Sequence, residues 1–358
     1  MAKRKRQDAA TTHEDIKTEA AVGKKKTKVA GPLQVDGEAI TIQIVAGSYD
    51  QVLHGMTARI GGGADNKADF ADTFLFSAHK SAIRCVAISP VSAPAPGQTQ
   101  KVFLASGSTD ERINIYSLSA HAPQQKTSGS AAELTRISAR PILENRKNRE
   151  VGTLLHHGST ITALHFPTRG KLLSASEDST VAVTRTRDWA MLSTVRVPRA
   201  KAQGRPSGDT AAVGAAPTGV NSFAVHPSMK LMISVSRGER CMRLWNLVTG
   251  KKAGVLSFGR ELLQEVGESR HTAGEGRRVV WGSVDESDEF AVGFDREVVV
   301  FGMDSVPKCR AMGSARTRVH QFCYVTVSEQ MSLLAMSTED GRIVFHDEWA
   351  KSAAGKRG

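Results

Sequence analysis

Phe103-Leu-Ala-Ser-Gly-Ser-Thr-Asp110, followed by Glu111-Arg-Ile-Asn-Ile-Tyr116, decides the reading of the fold. Two short alternating runs flank a turn centred on an aspartate, and period-two alternation around a turn is the signature of a β-hairpin. The phrase recurs. Ile44 to Asp50 leads into Gln51 to Gly55, Leu172 to Asp178 into Ser179 to Val183, and Leu231 to Glu239 into Arg240 to Trp245. Phe290 to Asp295 leads into Arg296 to Phe301, and Leu333 to Asp340 into Gly341 to Phe345. Six copies with turns 45 to 68 residues apart make a repeat architecture. A four-stranded propeller blade needs roughly 40–45 residues. Insertions at 61–72, 90–100, 119–150 and 196–218 account for the excess, which a radial repeat tolerates because each unit touches only its neighbours.

At roughly 100–200 residues per domain, 358 residues would make two or three domains, but one closed ring of repeats absorbs the whole length. With 40% hydrophobic and 23% charged residues the composition is that of a globular chain. No run approaches the roughly 18 apolar residues of a membrane span, so no membrane partner is expected. Met1 to Arg6 has no apolar core behind its charges and is not a secretory signal. Cys85, Cys241, Cys309 and Cys323 are scattered and form no CxxC pair. A zinc site or disulfide framework is therefore not expected; the four read as small core hydrophobes in a reducing compartment.

The net charge of +12 is unevenly placed. Residues 1–30 carry a surplus of five positive charges, and 119–150, 196–218 and 349–358 carry three each. Everything else sums to −2, so a nearly neutral body carries basic edges. Such edges favour nucleic acid, acidic partners or an import receptor. Lys3, Arg4, Lys5 and Arg6, with Lys24, Lys25, Lys26 and Lys28, fit nuclear localisation or nucleic-acid contact. Arg146, Lys147, Arg149, Arg199, Lys201 and Arg205 are the contacts expected from the two inserts. Aromatic residues are only 5%, too sparse for base-stacking platforms, so any RNA contact is to phosphate.

The repeated phrase resembles the WD40 repeat, in which a Gly-His precedes the innermost strand, a Ser/Thr lies on the second, an Asp in the turn and a Trp on the third. Ala78-His79 with Ser106, Asp110 and Tyr116 matches that order. His157, Ser174 and Asp178 repeat it, with Thr184 at the Trp position. Trp245 is followed by Asn246 in a copy without the His, and the last two copies keep Asp295 and Asp340 and lose the His. The resemblance implies a structural hydrogen-bonded network in each blade, and recurrence argues against a hydrolase triad, since an enzyme needs one nucleophile and a scaffold needs many pins. No Walker loop, HExxH, GxSxG or GxGxxG occurs, so neither catalysis nor a cofactor is expected. His156-His157 is read as blade structure, not as a metal ligand pair.

Longer phrases narrow the likeness. Val45 to Gly55, Ser108 to Tyr116, Gly152 to Leu164 and Leu244 to Gly250 resemble the PAK-interacting-protein family, whose fungal members are the killer-maintenance proteins. The likeness runs from about residue 42 to about 347. It implies a seven-bladed WD40 β-propeller at 39–349; residues 1–38, polar, charged and without periodicity, read as a disordered basic tail, and 350–358 as a short basic tail. It further implies a non-catalytic scaffold for large (60S) ribosomal subunit assembly in the nucleus and nucleolus. The implied partners are pre-60S assembly factors and ribosomal proteins, with rRNA phosphate contacts, and the protein is a monomer within a larger complex. The alternative it carries is a signalling adaptor that restrains a p21-activated kinase. Six hairpin phrases stand where the family has seven, so the final blade is either absent or hidden in 255–282, although Glu261 to Val266 reads as a helix. An open ring exposes strand edges, which a partner or Ala39 to Ile44 would have to cover.

Overall fold

The computed structural model describes residues 40–61, 68–123, 142–199, 219–268, 272–284, 287–313, 317–328 and 331–346. The expected tails at 1–38 and 350–358, and residues 124–141 and 200–218 of the two basic inserts, lie outside them.

Each hairpin phrase becomes two adjacent strands of one antiparallel sheet, the middle two in blades 2 to 5, and six sheets follow one another as the blades of a β-propeller. Blade 1 holds β1 (Ile40–Gly47), β2 (Val52–Ile60) and β3 (Ala68–Ser77). Blade 2 holds β4 (Ile83–Ile88), β5 (Lys101–Ser108), β6 (Ile113–Ser119) and β7 (Arg149–Leu154). Blade 3 holds β8 (Ile161–Thr168), β9 (Lys171–Ser176), β10 (Thr180–Arg185) and β11 (Met191–Arg196). Blade 4 holds β12 (Val220–Val225), β13 (Leu231–Ser236), β14 (Cys241–Asn246) and β15 (Lys251–Ser257). Blade 5 holds β16 (Arg278–Val284), β17 (Ser287–Gly293), β18 (Val298–Gly302) and β19 (Pro307–Arg310). Blade 6 holds β20 (Val319–Ser328), β21 (Met331–Thr338) and β22 (Ile343–His346).

There is no single core. Five apolar clusters lie between successive blades, and alternation along each strand feeds two of them at once. On β6, Ile113 and Ile115 face Ile161 and Leu172 of blade 3, while Tyr116 and Leu118 face Leu53 of blade 1. On β18, Val298 and Val300 face Phe322 and Met336 of blade 6, while Val299 and Phe301 join the cluster shared with Ile233 and Val235 of blade 4. Burial on both faces is why these strands read as nearly continuous apolar runs. At about 1.5–3 kcal/mol for each fully buried aliphatic side chain, the clusters supply most of the cohesion between blades. The sheets approach closely: a Cβ on Gly107 would stand 2.6 Å from Ile161 Cγ2 and 2.9 Å from Cys85 Sγ.

Two expectations are corrected. Residues 255–282 hold no hidden blade: β15 ends there, the helix α1 (Arg260–Glu265) follows, and β16 begins. The helix forms where its apolar residues are needed, since Leu263 and Val266 enter the cluster between blades 4 and 5. Ile40 to Ile44 does not cap an open edge; it belongs to β1, paired with β2 from Ile40↔Ile60 to Gly47↔Leu53. The end blades each keep an exposed apolar face. Ile42 shares a face with Ala58 and Phe70 on blade 1, and Phe345 shares one with Ala335 and Cys323 on blade 6. Phe70 is 64% exposed and Phe345 59%. The cysteines are also less buried than expected for core residues: Cys85, Cys241 and Cys309 are half-buried, Cys323 is exposed, and none of the four is in a disulfide.

Candidate functional site

The residues singled out by the repeat gather at the turns joining the second and third strands. In blade 2, His79 Nδ1 lies 3.1 Å from Asp110 Oδ2, and its Nε2 lies 2.8 Å from Ser106 Oγ. A carboxylate only accepts, so Nδ1 carries a proton toward Asp110, and Nε2 pairs with the serine hydroxyl. Asp110 also accepts the backbone N–H groups of Lys80 and Arg112. Burial pulls its carboxyl upward, yet these N–H bonds and the His79 contact outweigh burial and hold it below the usual carboxylate range. Tyr116, at the Trp position, does not replace the indole bond; it packs edge-on to Phe76 at 5.4 Å. Burial first and Glu150 second push its hydroxyl up to about 12.

Blade 3 is more elaborate. His157 Nδ1 lies 3.1 Å from both Asp178 Oδ2 and Thr180 Oγ1, and its Nε2 lies 2.8 Å from Ser174 Oγ. Thr180 donates to Asp178 Oδ1 at 2.6 Å. Burial again raises the Asp178 carboxyl, but hydrogen bonds from His157, Thr180 and Gly158 drive it far below its ordinary value. His156 stacks obliquely 4.7 Å from His157 and reaches the same serine at 3.2 Å. Burial, then the neighbouring His157, lowers His156 to about 4. Thr184, at the Trp position, is fully buried and its hydroxyl finds no partner.

The remaining blades solve the turn differently. In blade 4, Trp245 Nε1 donates to Ser234 Oγ at 2.8 Å, and Arg243 clamps Glu239 where the others have a turn aspartate. In blade 6, Thr338 donates to Asp340 and Arg342 lies 3.3 Å from it. In blade 5, Asp295 is surrounded by Arg277, Arg296 and Arg318. Sequence reading missed these arginines, as it missed Asn114, which donates to Ala78 O at 2.6 Å and accepts from Thr153. It also missed His226, held between Ser228 and Asp288 at 2.8 and 2.9 Å, which ties blade 4 to blade 5.

Chemically the network is a set of pins. Ser106 and Ser174 have no exposed surface, so no substrate carbonyl could reach either hydroxyl. Ser228 is exposed, but His226 Nδ1 already accepts the Ser228 backbone N–H at 3.0 Å, which makes the trio a local turn. Among the described residues no group of three His, Cys, Asp or Glu could hold a metal, and no helix is long and apolar enough to cross a membrane. Of the basic residues, Arg146, Lys147, Arg149 and Arg199 are exposed, and Lys147 reaches Thr99 Oγ1 at 3.3 Å. Lys201 and Arg205, with Lys3 to Arg6 and Lys24 to Lys28, lie outside the described residues.

Comparison with known proteins agrees with this geometry. The family model "WD domain, G-beta repeat" matches residues 71–117 and 148–183, the two blades that keep the His–Ser–Asp set. Protein MAK11 of Saccharomyces cerevisiae is 27% identical over 331 residues, 87% of this chain and 63% of that protein. The p21-activated protein kinase-interacting protein 1-like protein of Danio rerio is 26% identical over 264 residues, 74% of this chain and 51% of that protein. Its Gallus gallus counterpart is 28% identical over 212 residues, 59% of this chain and 41% of that protein. The chain thus spans about half the length of these relatives. The described residues fold as a six-bladed β-propeller carrying WD40 repeats, and the chain is similar to MAK11 and to the p21-activated protein kinase-interacting protein 1-like proteins.

Proposed function

We propose that this protein is a non-catalytic scaffold in large-subunit ribosome assembly, docking on nucleolar pre-ribosomal particles through blade surfaces and basic extensions. The likeness to MAK11 over 87% of the chain carries the reading, because it covers most of the propeller and not one repeat alone. Charge placement supports it. A body near neutrality can present many protein-binding faces, while basic segments at 1–30, 119–150 and 196–218 would meet rRNA phosphate or acidic assembly factors. Arg146, Lys147, Arg149 and Arg199 are the described members of that contact set.

Deletion of 1–30 and of the two inserts, followed by sedimentation of cell extracts, tests the proposal. Loss of the protein from large-subunit precursors is expected, with retention falling steeply with salt in the intact protein. Normal co-sedimentation of the deleted form would overturn the role given to the basic segments. The likeness to the p21-activated protein kinase-interacting protein 1-like proteins supports a second reading, a kinase-binding adaptor. Affinity purification at two salt concentrations separates the two. Recovery of a p21-activated kinase without ribosomal precursors would favour the adaptor.

A further inference from the structure

Blade 5 carries more positive charge at its turn than its turn aspartate can use. Asp295 Oδ1 receives Arg277 Nη2 and Arg318 Nε, each at 2.9 Å, and Arg296 Nε stands 3.7 Å from Oδ2. Three guanidinium groups against one carboxylate leave a local charge of +2. Elsewhere one partner suffices: His79 for Asp110, His157 for Asp178 and Arg342 for Asp340. The surplus sits at the blade 5 turn and is open to solvent, with side-chain exposures of 50% for Arg277, 58% for Arg296 and 48% for Arg318.

The cluster is also held in place. Arg277 N donates to Gly293 O at 2.8 Å, fixing the start of β16 against the end of β17. Val319 N donates to Asp295 O at 3.1 Å, so the backbone on which Arg318 sits is tied directly to the turn. Glu339 N, donating to Arg318 O at 2.9 Å, secures the same segment from the other side. Asp295 therefore orients three planar forks from two blades. Each fork has five N–H donors, far more than the carboxylate takes up.

We propose that Arg277, Arg296 and Arg318 form a phosphate-binding site that captures a phosphorylated serine or threonine on a partner protein. A phosphomonoester carries about −1.5 to −2 at neutral pH, which matches the local +2, and its three oxygens suit several guanidinium forks at once. The neighbouring turns decide between a phosphoprotein and RNA. On the blade 6 side Glu339 and Asp340 follow directly on the segment tied to Arg318, and Glu111 and Glu177 lie at the turns of blades 2 and 3, so a polyanion running round this side of the ring would meet acid beyond the cluster. A single phosphate on an otherwise neutral or basic segment meets none of that repulsion. The site is separate from the basic segments assigned above to rRNA, and its failure would leave that assignment standing.

Binding of the full-length protein to a degenerate nonapeptide library with central phosphoserine, and to the same library unphosphorylated, tests the assignment by fluorescence anisotropy. An RNA 20-mer of mixed sequence serves as the third probe. Phosphorylated peptides are expected to bind at least about tenfold more tightly than unphosphorylated ones, since several charge-assisted hydrogen bonds form only with the phosphate. Arg296→Gln should weaken phosphopeptide binding several-fold, and Arg277→Gln with Arg296→Gln by at least about tenfold. Arg185→Gln, which removes an exposed arginine paired with Asp188 on blade 3, should leave it unchanged. Arg296 makes only the longest of the three contacts, so its single variant carries the test should the double variant unfold. Equal binding of the two libraries, no loss in Arg296→Gln, or loss of RNA binding instead of phosphopeptide binding would each overturn the proposal.

Discussion

The buried imidazoles of blade 3 give the protein a defined sensitivity to acid. Burial and the adjacent His157 hold His156 at about 4 in the folded chain, against an ordinary value near 6.5. The unfolded chain therefore binds this proton first, and stability decreases as pH falls from about 6.5 to about 4. Asp178 adds a second, lower window. Its folded value is depressed, so its contribution is complete above its ordinary value of 3.8 and is lost as pH falls further. Urea midpoints measured from pH 7 to pH 3 are expected to drop in both ranges. His156→Gln should reduce the drop in the upper range, where buried His165 also contributes, and Asp178→Asn should reduce the drop in the lower one, where Asp110 also contributes, while lowering the midpoint at pH 7. In blade 4 the corresponding pin is the indole of Trp245. Trp245→Phe leaves the Ser234 hydroxyl without its partner and opens a small void, which should cost about 1–3 kcal/mol in denaturant titrations.

Among the elements, the sequence made visible those buried on two sides. β5, β6, β9, β13, β17 and β18 read clearly because both faces pack on neighbours, leaving short apolar runs beside a turn aspartate. β7, β11 and β15 were not legible: they lie at the outer edge of their sheets, are largely exposed, and carry little apolar pattern. The pins of blades 2 and 3 were legible because His, Ser and Asp recur at fixed spacing. The arginines around Asp295 were not, since Arg318 lies 23 residues away and meets the carboxylate only after blade 6 packs on blade 5. Arg169 escaped for the same reason. It reaches from the first turn of blade 3 to Lys101 O at 2.7 Å and covers the Phe103 ring at 4.5 Å, latching blade 3 to blade 2. The close approach of these two blades makes Gly107 hard to replace, because Ile161 lies across the interface with its β-branched side chain fixed. Gly107→Val is expected to destabilise by about 1–3 kcal/mol through overpacking, with the loss read as a lower thermal midpoint and reduced protection of β4 and β8 amides in hydrogen exchange.

At the scale of the molecule, the six sheets of the described residues repeat one interface five times and leave two faces of the same chemistry exposed among those residues. Ile40 at 47%, Ile42 at 44% and Phe70 at 64% exposure stand on blade 1, and Val325 at 38%, Ile343 at 66% and Phe345 at 59% on blade 6. Their alternation is that of the internal strands, where the partner residues are nearly fully buried. Contiguous apolar surface of this kind is rarely left in water, and flat sheet faces associate. The nearly neutral body offers little charge repulsion to oppose contact between these faces. The chain is therefore expected to self-associate at micromolar concentration. Light scattering should show mean mass rising with concentration and with added sulfate, which strengthens apolar burial. Phe70→Lys with Phe345→Lys should abolish that rise and leave the thermal midpoint nearly unchanged, because neither side chain belongs to any of the five internal clusters. A double variant that still associates would locate the contact elsewhere, on the charged turns or the basic inserts, and association would then weaken with salt instead of strengthening.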